Sequence, residues 1–157
     1  MKKVQESYSL VGLASPQLGI ELRVFLMSFG EHLKEKFKPE VYKAKEMSTL
    51  PLTIFINPEI KVLDHKKVIF EETCASVVGF AAEVPRSYSI QVNALDAKGN
   101  PISHVFTGWN ARIAQHENDH LDGILFTDVM DRKTLRCTNW EAVNAKGGRI
   151  EVPYYPK

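Results

Sequence analysis

Gln115-His116-Glu117-Asn118-Asp119-His120-Leu121-Asp122-Gly123 is the stretch on which the reading of this chain turns. The residues leading into it, Trp109 to Gln115, contain neither Gly nor Pro, so a helix is expected from near Trp109. On a helix His116 and His120 lie four apart and share one face, so both imidazoles can reach one metal ion. Glu117 then projects beside that ion, near enough to take a proton from metal-activated water. Gly123 is placed to stop the helix soon after the second histidine. A histidine pair on a helix is usually a surface or hydrogen-bonded core feature, so the pattern needs support from the rest of the chain.

The length of 157 residues fits one domain able to bury its own core. The composition is 44% hydrophobic and 25% charged with a net charge of +1, which gives no electrostatic reason to expect nucleic acid or an anionic membrane as partner. No apolar run approaches membrane-spanning length, and Met1 to Glu6 do not lead into an apolar signal core. Cys74 and Cys137 stand far apart, and two cysteines in a chain with its own core read as reduced intracellular thiols.

Upstream, residues 1–9 are polar and short. Val11 to Gly19 hold two glycines and Pro16, which argues for an irregular backbone. Leu22 to Met27 read as a buried strand. Glu31 to Glu46 is rich in Lys and Glu and interrupted by Pro39, so it is expected as a solvated, partly helical surface insertion. Leu52 to Pro58 is a strand ended by a turn, and Ile60–Asp64 and Lys67–Phe70 are two further strand segments around a polar turn. Cys74 follows, and a lone Cys after an apolar strand is most often a small buried hydrophobe. Ser89 to Leu95 alternates with period two, Asp96 to Asn100 is a turn, and Pro101 to Thr107 returns as the hairpin partner. After the helix, Ile124 to Phe126 is a short apolar segment. The chain is polar from Lys133, and residues 150–156 read as an extended tail docked by its aromatics.

A histidine pair needs a third protein ligand to make a catalytic metal site with one open position. No third His follows His120 in the metzincin frame. Two donors remain: Glu141 downstream, as in a thermolysin-like zinc peptidase, and Cys74 upstream, the one soft donor before the helix.

Gly12-Leu13-Ala14-Ser15-Pro16-Gln17, Glu72-Thr73-Cys74-Ala75-Ser76 and the His116 stretch resemble, in order, the three motifs of the peptide deformylases: GLAAPQ, EGCLS and QHExDHLxG. The likeness runs from about Gly12 to Asp131. It implies an α+β fold with antiparallel sheets around a central helix carrying His-Glu-x-x-His. It also implies metal-dependent removal of the N-formyl group from formyl-methionyl nascent chains, with release of formate. The absence of the bacterial Pro after Ser76-Val77 and the insertion between the first two motifs resemble the animal mitochondrial subtype, which implies a mitochondrial location.

The resemblance assigns roles. Cys74, His116 and His120 would hold one divalent transition-metal ion, Fe(II) or Zn(II), since a thiolate with two imidazoles does not suit Mg or Ca. Glu117 would accept a proton from the activated water and return it to the leaving amine. The Gln17 side-chain amide and the backbone N–H of Ala75 would stabilise the oxyanion. Gly12 would let the backbone approach the substrate, with Val11, Trp109 and Ile113 as the apolar pocket for the methionine side chain. The implied partners are N-formyl-methionyl peptides and a transient ribosome contact, with the chain a monomer or homodimer.

Three departures from the family pattern bear on this. Thr73 stands where the family has Gly, so strain is expected if that position needs a positive φ. Ala75 replaces the usual Leu or Glu. The family also has a further N-terminal segment before the first motif, so residues 1–157 are expected to be a single deformylase-like domain lacking that segment. A degenerate deformylase that binds metal or peptide without turnover is the competing reading from another class.

Overall fold

The structure is a computed structural model that describes residues 1–151. The aromatic tail expected over residues 150–156 therefore lies outside the described residues from position 152 onward. The described residues form two compact units: residues 1–68 with 86–124, and residues 69–85 with 125–151.

The first unit begins with helix α1 (Lys2–Tyr8), a regular element where the sequence suggested only a polar lead-in. Strand β1 (Gly12–Ala14) follows, then a 3-10 turn (Ser15–Leu18) and strand β2 (Val24–Phe29). The expected strand at 22–27 is shifted by two residues, and Leu22 is 61% exposed. Short helices α2 (Glu31–Lys34) and α3 (Pro39–Ala44) occupy the charged insertion. Pro39 interrupts as expected, but by opening α3 within its first turn, where its missing N–H costs nothing. The insertion is more than solvated surface: its Leu33 is buried with the flanking Phe29 and Met47, and Phe37 and Tyr42 pack against them.

Strands β3 (Leu50–Cys74) and β4 (Val77–Leu95) are each one long strand where the sequence suggested shorter pieces. The expected break at Asn57-Pro58 is absorbed inside β3. Asn57 takes a left-handed φ of 49°, which Asn tolerates, and its N–H bonds Arg23 O at 2.8 Å. Hairpin partner β5 (Pro101–Thr107) pairs β4 antiparallel from Ser89↔Thr107 to Leu95↔Pro101, as the Asp96–Asn100 turn predicts. The sheet runs β1-β2-β3-β4-β5.

Helix α4 (Gly108–Leu121) supplies Ala111, Ile113 and Ala114 to the main core, which also holds Phe25, Met27, Phe55, Ile90, Val92 and Phe106. Phe25 and Phe55 sit directly opposite in the β2–β3 register, with ring centroids 4.8 Å apart. An α+β fold of antiparallel strands with a helix carrying both histidines is what the resemblance implied.

The second unit holds helix α5 (Phe126–Val129), strand β6 (Arg136–Cys137) and helix α6 (Trp140–Ala145), together with residues 69–85 of β3 and β4. Its core is small: Cys74, Ala82, Val84 and Phe126, flanked by Val77 and Met130. Strand β6 pairs β4 at Phe80↔Cys137 and Ala81↔Arg136, and Arg136 grips Glu71 through two bonds of 2.7 and 2.8 Å. Among the described residues no helix is long and apolar enough to cross a membrane.

Candidate metal centre

Helix α4 is fixed at several points near its histidines. Gly123 adopts φ 72°, and the bonds Gly123 N–H to His120 O and Ile124 N–H to Asp119 O close the helix in a Schellman arrangement. Just before it, Arg23 donates to Leu121 O at 3.2 Å and pairs with Asp122 at 2.7 Å. The stop expected at Gly123 is therefore the stop observed, and it comes one turn after the second imidazole.

Within the helix, Gln115 acts as a clamp. Its Oε1 accepts from Ser87 N–H at 3.0 Å, and its Nε2 donates to Ser87 O at 2.9 Å and to Ala111 O at 3.0 Å. One side-chain amide thus satisfies both backbone groups of a β4 residue and holds α4 in register with that strand. Asp119, on the next turn, accepts from Arg86 at 2.5 Å in a largely buried pair whose side chains are 7% and 21% exposed. Between these anchors the rings of His116 and His120 stand 4.9 Å apart and nearly perpendicular.

Cys74 ends β3, Ala75 and Ser76 form the turn, and β4 resumes at Val77. Cys74 is 8% exposed, and its Sγ accepts the Ser76 N–H at 3.3 Å. Thr73 is exposed at the end of the strand, and the non-glycine residues with positive φ among those described are Ser9, Glu46 and Asn57. The strain that a left-handed conformation would impose on Thr73 is therefore not present.

The thiol sulfur of Cys74 and one ring nitrogen each of His116 and His120 all lie within 4.8 Å of one another. One soft donor and two borderline donors, two of the three residues buried, fit a four-coordinate transition-metal ion with one position left open. Glu141, the alternative third ligand, is exposed in α6 and stands outside this group.

Most of the other candidates lie in the first unit, and Ala75 lies in the second. Glu117 is 5% exposed, on the buried side of α4. Gln17 lies in the 3-10 turn, and its Oε1 accepts the Ala14 N–H at 2.8 Å. Because that partner is a donor, the facing atom must be the oxygen, which fixes the amide with its NH2 turned the other way. Gly12 is buried in β1 and presses against Glu117. Val11 and Trp109 are partly buried against the main core that contains Ile113. Ala75 is the exposed first residue of the turn after Cys74.

The sequence reading passed over Gln115, Asp119, Arg86 and Arg23. Gln115 and Asp119 stand inside the quoted stretch, and their helical spacing around the histidines was the available signal. Arg86 and Arg23 offered none, since their value lies in partners 33 and 99 positions away. A groove of about 480 Å³ lined by Pro16, Ile20, Leu22, Arg23 and Leu121 also reaches His120.

Comparison with known proteins agrees with this geometry. The family model for polypeptide deformylase matches residues 1–136. The chain is 42% identical over 134 residues to the human protein named peptide deformylase, mitochondrial, covering 85% of this chain and 55% of that one. It is 41% identical over 137 residues to the tomato (Solanum lycopersicum) peptide deformylase 1A, chloroplastic, covering 87% and 49%. The chain thus spans about half the length of the curated relatives it matches. Among solved structures, a Met-Ala-Ser-bound class I type b peptide deformylase from Acinetobacter baumannii superposes with TM-score 0.71 at 31% identity, covering 83% of this chain and 76% of that one. With the family model matching residues 1–136 and the three motifs standing in order along that span, the chain belongs to the polypeptide deformylase family.

Proposed function

We propose that this chain hydrolyses the N-formyl group of formyl-methionyl peptides and releases formate. The observation that carries the reading is the Cys74, His116 and His120 group with buried Glu117 next to His116 in sequence. Cys74, His116 and His120 would hold one divalent ion, Fe(II) or Zn(II), which when bound supplies a Lewis acid and a water acidic enough to ionise near neutral pH.

The remaining work falls to the chain's own groups. Glu117 accepts a proton from the attacking water and hands it to the amine as the C–N bond breaks. The Gln17 NH2, oriented by the bond from Ala14 N–H to its oxygen, and the Ala75 N–H donate to the formyl oxygen as it turns negative. Gly12 leaves the backbone open to the peptide, and Val11, Trp109 and Ile113 offer apolar surface to the methionine side chain. Binding of Met-Ala-Ser by the Acinetobacter relative supports a short peptide as substrate. We place the activity in the mitochondrion, with support from the human relative's name.

The test is formate release from formyl-Met-Ala-Ser by anaerobically purified, Fe(II)- or Co(II)-loaded protein. Glu117→Ala should keep its metal and lose turnover by about 10²–10⁴-fold. Metal bound in the wild type with no formate released would replace this reading with that of a binding protein.

A further inference from the structure

Gly12 differs from most glycines of this chain, and unlike Gly30, whose added Cβ would meet the ring of His32 two residues on, it faces a residue of another element. Gly19, Gly99, Gly123, Gly147 and Gly148 have positive φ, with nothing within 4 Å of a Cβ built on them. Those positions need glycine for backbone conformation. Gly12 has no positive φ and lies in a regular strand, in register with Met27 of β2. What it lacks is room. A Cβ there would stand 2.3 Å from Glu117 Oε1, 2.6 Å from its Cδ and 2.7 Å from its Cγ.

Three atoms of one side chain at such distances mean that the Glu117 side chain lies flat against the Gly12 Cα. Both residues are buried, and β1 and α4 both contribute to the main core, through Ala14 on one side and Ala111, Ile113 and Ala114 on the other. Neither backbone can retreat without disturbing that packing. The soft coordinate is the Glu117 side chain itself.

We infer that Gly12 is a positioning residue: its bare Cα is the wall that fixes where the Glu117 carboxylate sits. The inference rests on the role proposed above for Glu117, but the contact it names belongs to the folded chain with or without a metal ion. A methyl group at position 12 would push the carboxylate by about 1 Å to restore an ordinary van der Waals separation. A displacement of that size at a proton-transfer group can cost about 100-fold in rate. Gly12 therefore acts on catalysis through Glu117.

The experiment uses Gly12→Ala, Glu117→Ala and the double variant, each made in the full chain. In a crystal structure of metal-free Gly12→Ala, the Glu117 carboxylate should be displaced with the backbone of β1 and α4 unchanged. Thermal melts should show that Gly12→Ala lowers Tm in the wild-type background and has no further effect once Glu117 is Ala. With metal loaded, Gly12→Ala should reduce kcat on formyl-Met-Ala-Ser by about 100-fold, leaving KM and metal content near wild type. An unmoved carboxylate, or an equal loss of Tm in both backgrounds, overturns the wall. A rise in KM with kcat unchanged overturns the positioning role and leaves Gly12 with its proposed substrate contact alone. Undiminished turnover in Glu117→Ala would instead defeat the proposed function, an outcome that leaves the structural and melting results readable on their own.

Discussion

Strand β4 is entered and left by two turns of opposite character. The turn after it, Asp96 to Asn100, is built from residues that favour turning: the Asp96 carboxylate accepts from Lys98 N–H, Asn100 N–H and the Asn100 amide, and Gly99 takes φ 84°. It carries no candidate site residue. The turn before it, Ala75-Ser76, has no Gly, Asn or Asp, and neither residue has a positive φ, so it is not one of the primed turns that match strand twist. It directly follows Cys74, whose sulfur accepts a bond from inside the turn. The turn with the best local chemistry is structural, and the one with the poorer local chemistry presents the thiol. Local rules give way where a site must be placed.

That contrast can be broken from the Cys74 side. Replacing Ala75-Ser76 by Asn-Gly would supply the preferred hairpin turn and change the twist at which Cys74 is delivered. Metal affinity, measured by competition with a chromophoric chelator, should fall about 10–100-fold, the range seen when ligand-orienting partners are lost. Unchanged affinity would mean that the turn geometry is incidental.

The helical ligands depend instead on the clamp. Gln115→Leu leaves the Ser87 N–H and C=O without their partner, at about 1–3 kcal/mol of stability in chemical denaturation. The loss should appear together with weakened metal binding, because His116 is the next residue along the same helix.

The smallest expected effect concerns the structural turn. The backbone N–H of Asn100, and then its side-chain amide, hold the Asp96 carboxyl below its usual value. A depressed folded-state value stabilises the fold above the unfolded carboxylate range near about pH 4, and that contribution is lost as pH falls through the lower folded value. Asp96→Asn should therefore flatten a slight acid-side loss of Tm and leave metal binding unchanged.

Much of this was legible in the sequence because it is local. The His116–His120 spacing, the Gly123 stop and the Asp96–Asn100 hairpin each depend on residues a few positions apart, and each lies where the sequence placed it. Cys74 was legible as one of two candidate third ligands, and the family resemblance favoured it over Glu141, since a lone cysteine after a strand carries no pattern of its own. The continuity of β3 was hidden by Asn57-Pro58, which ordinarily ends a strand and here sits inside one. The Gln115–Ser87 clamp, the Arg86–Asp119 pair and the closeness of Gly12 to Glu117 join positions far apart in the chain, and no periodicity announces them.

The central claim is that Cys74, His116 and His120 hold one transition-metal ion. A Co(II) titration of the anaerobic, metal-free protein, followed by its absorption spectrum, tests it most directly beside Cys74→Ser. One equivalent should bind the wild type with an intense sulfur-to-cobalt charge-transfer band, and that band should be missing from the variant. A variant that binds Co(II) with the wild-type spectrum, or a wild type that binds none, would contradict the account.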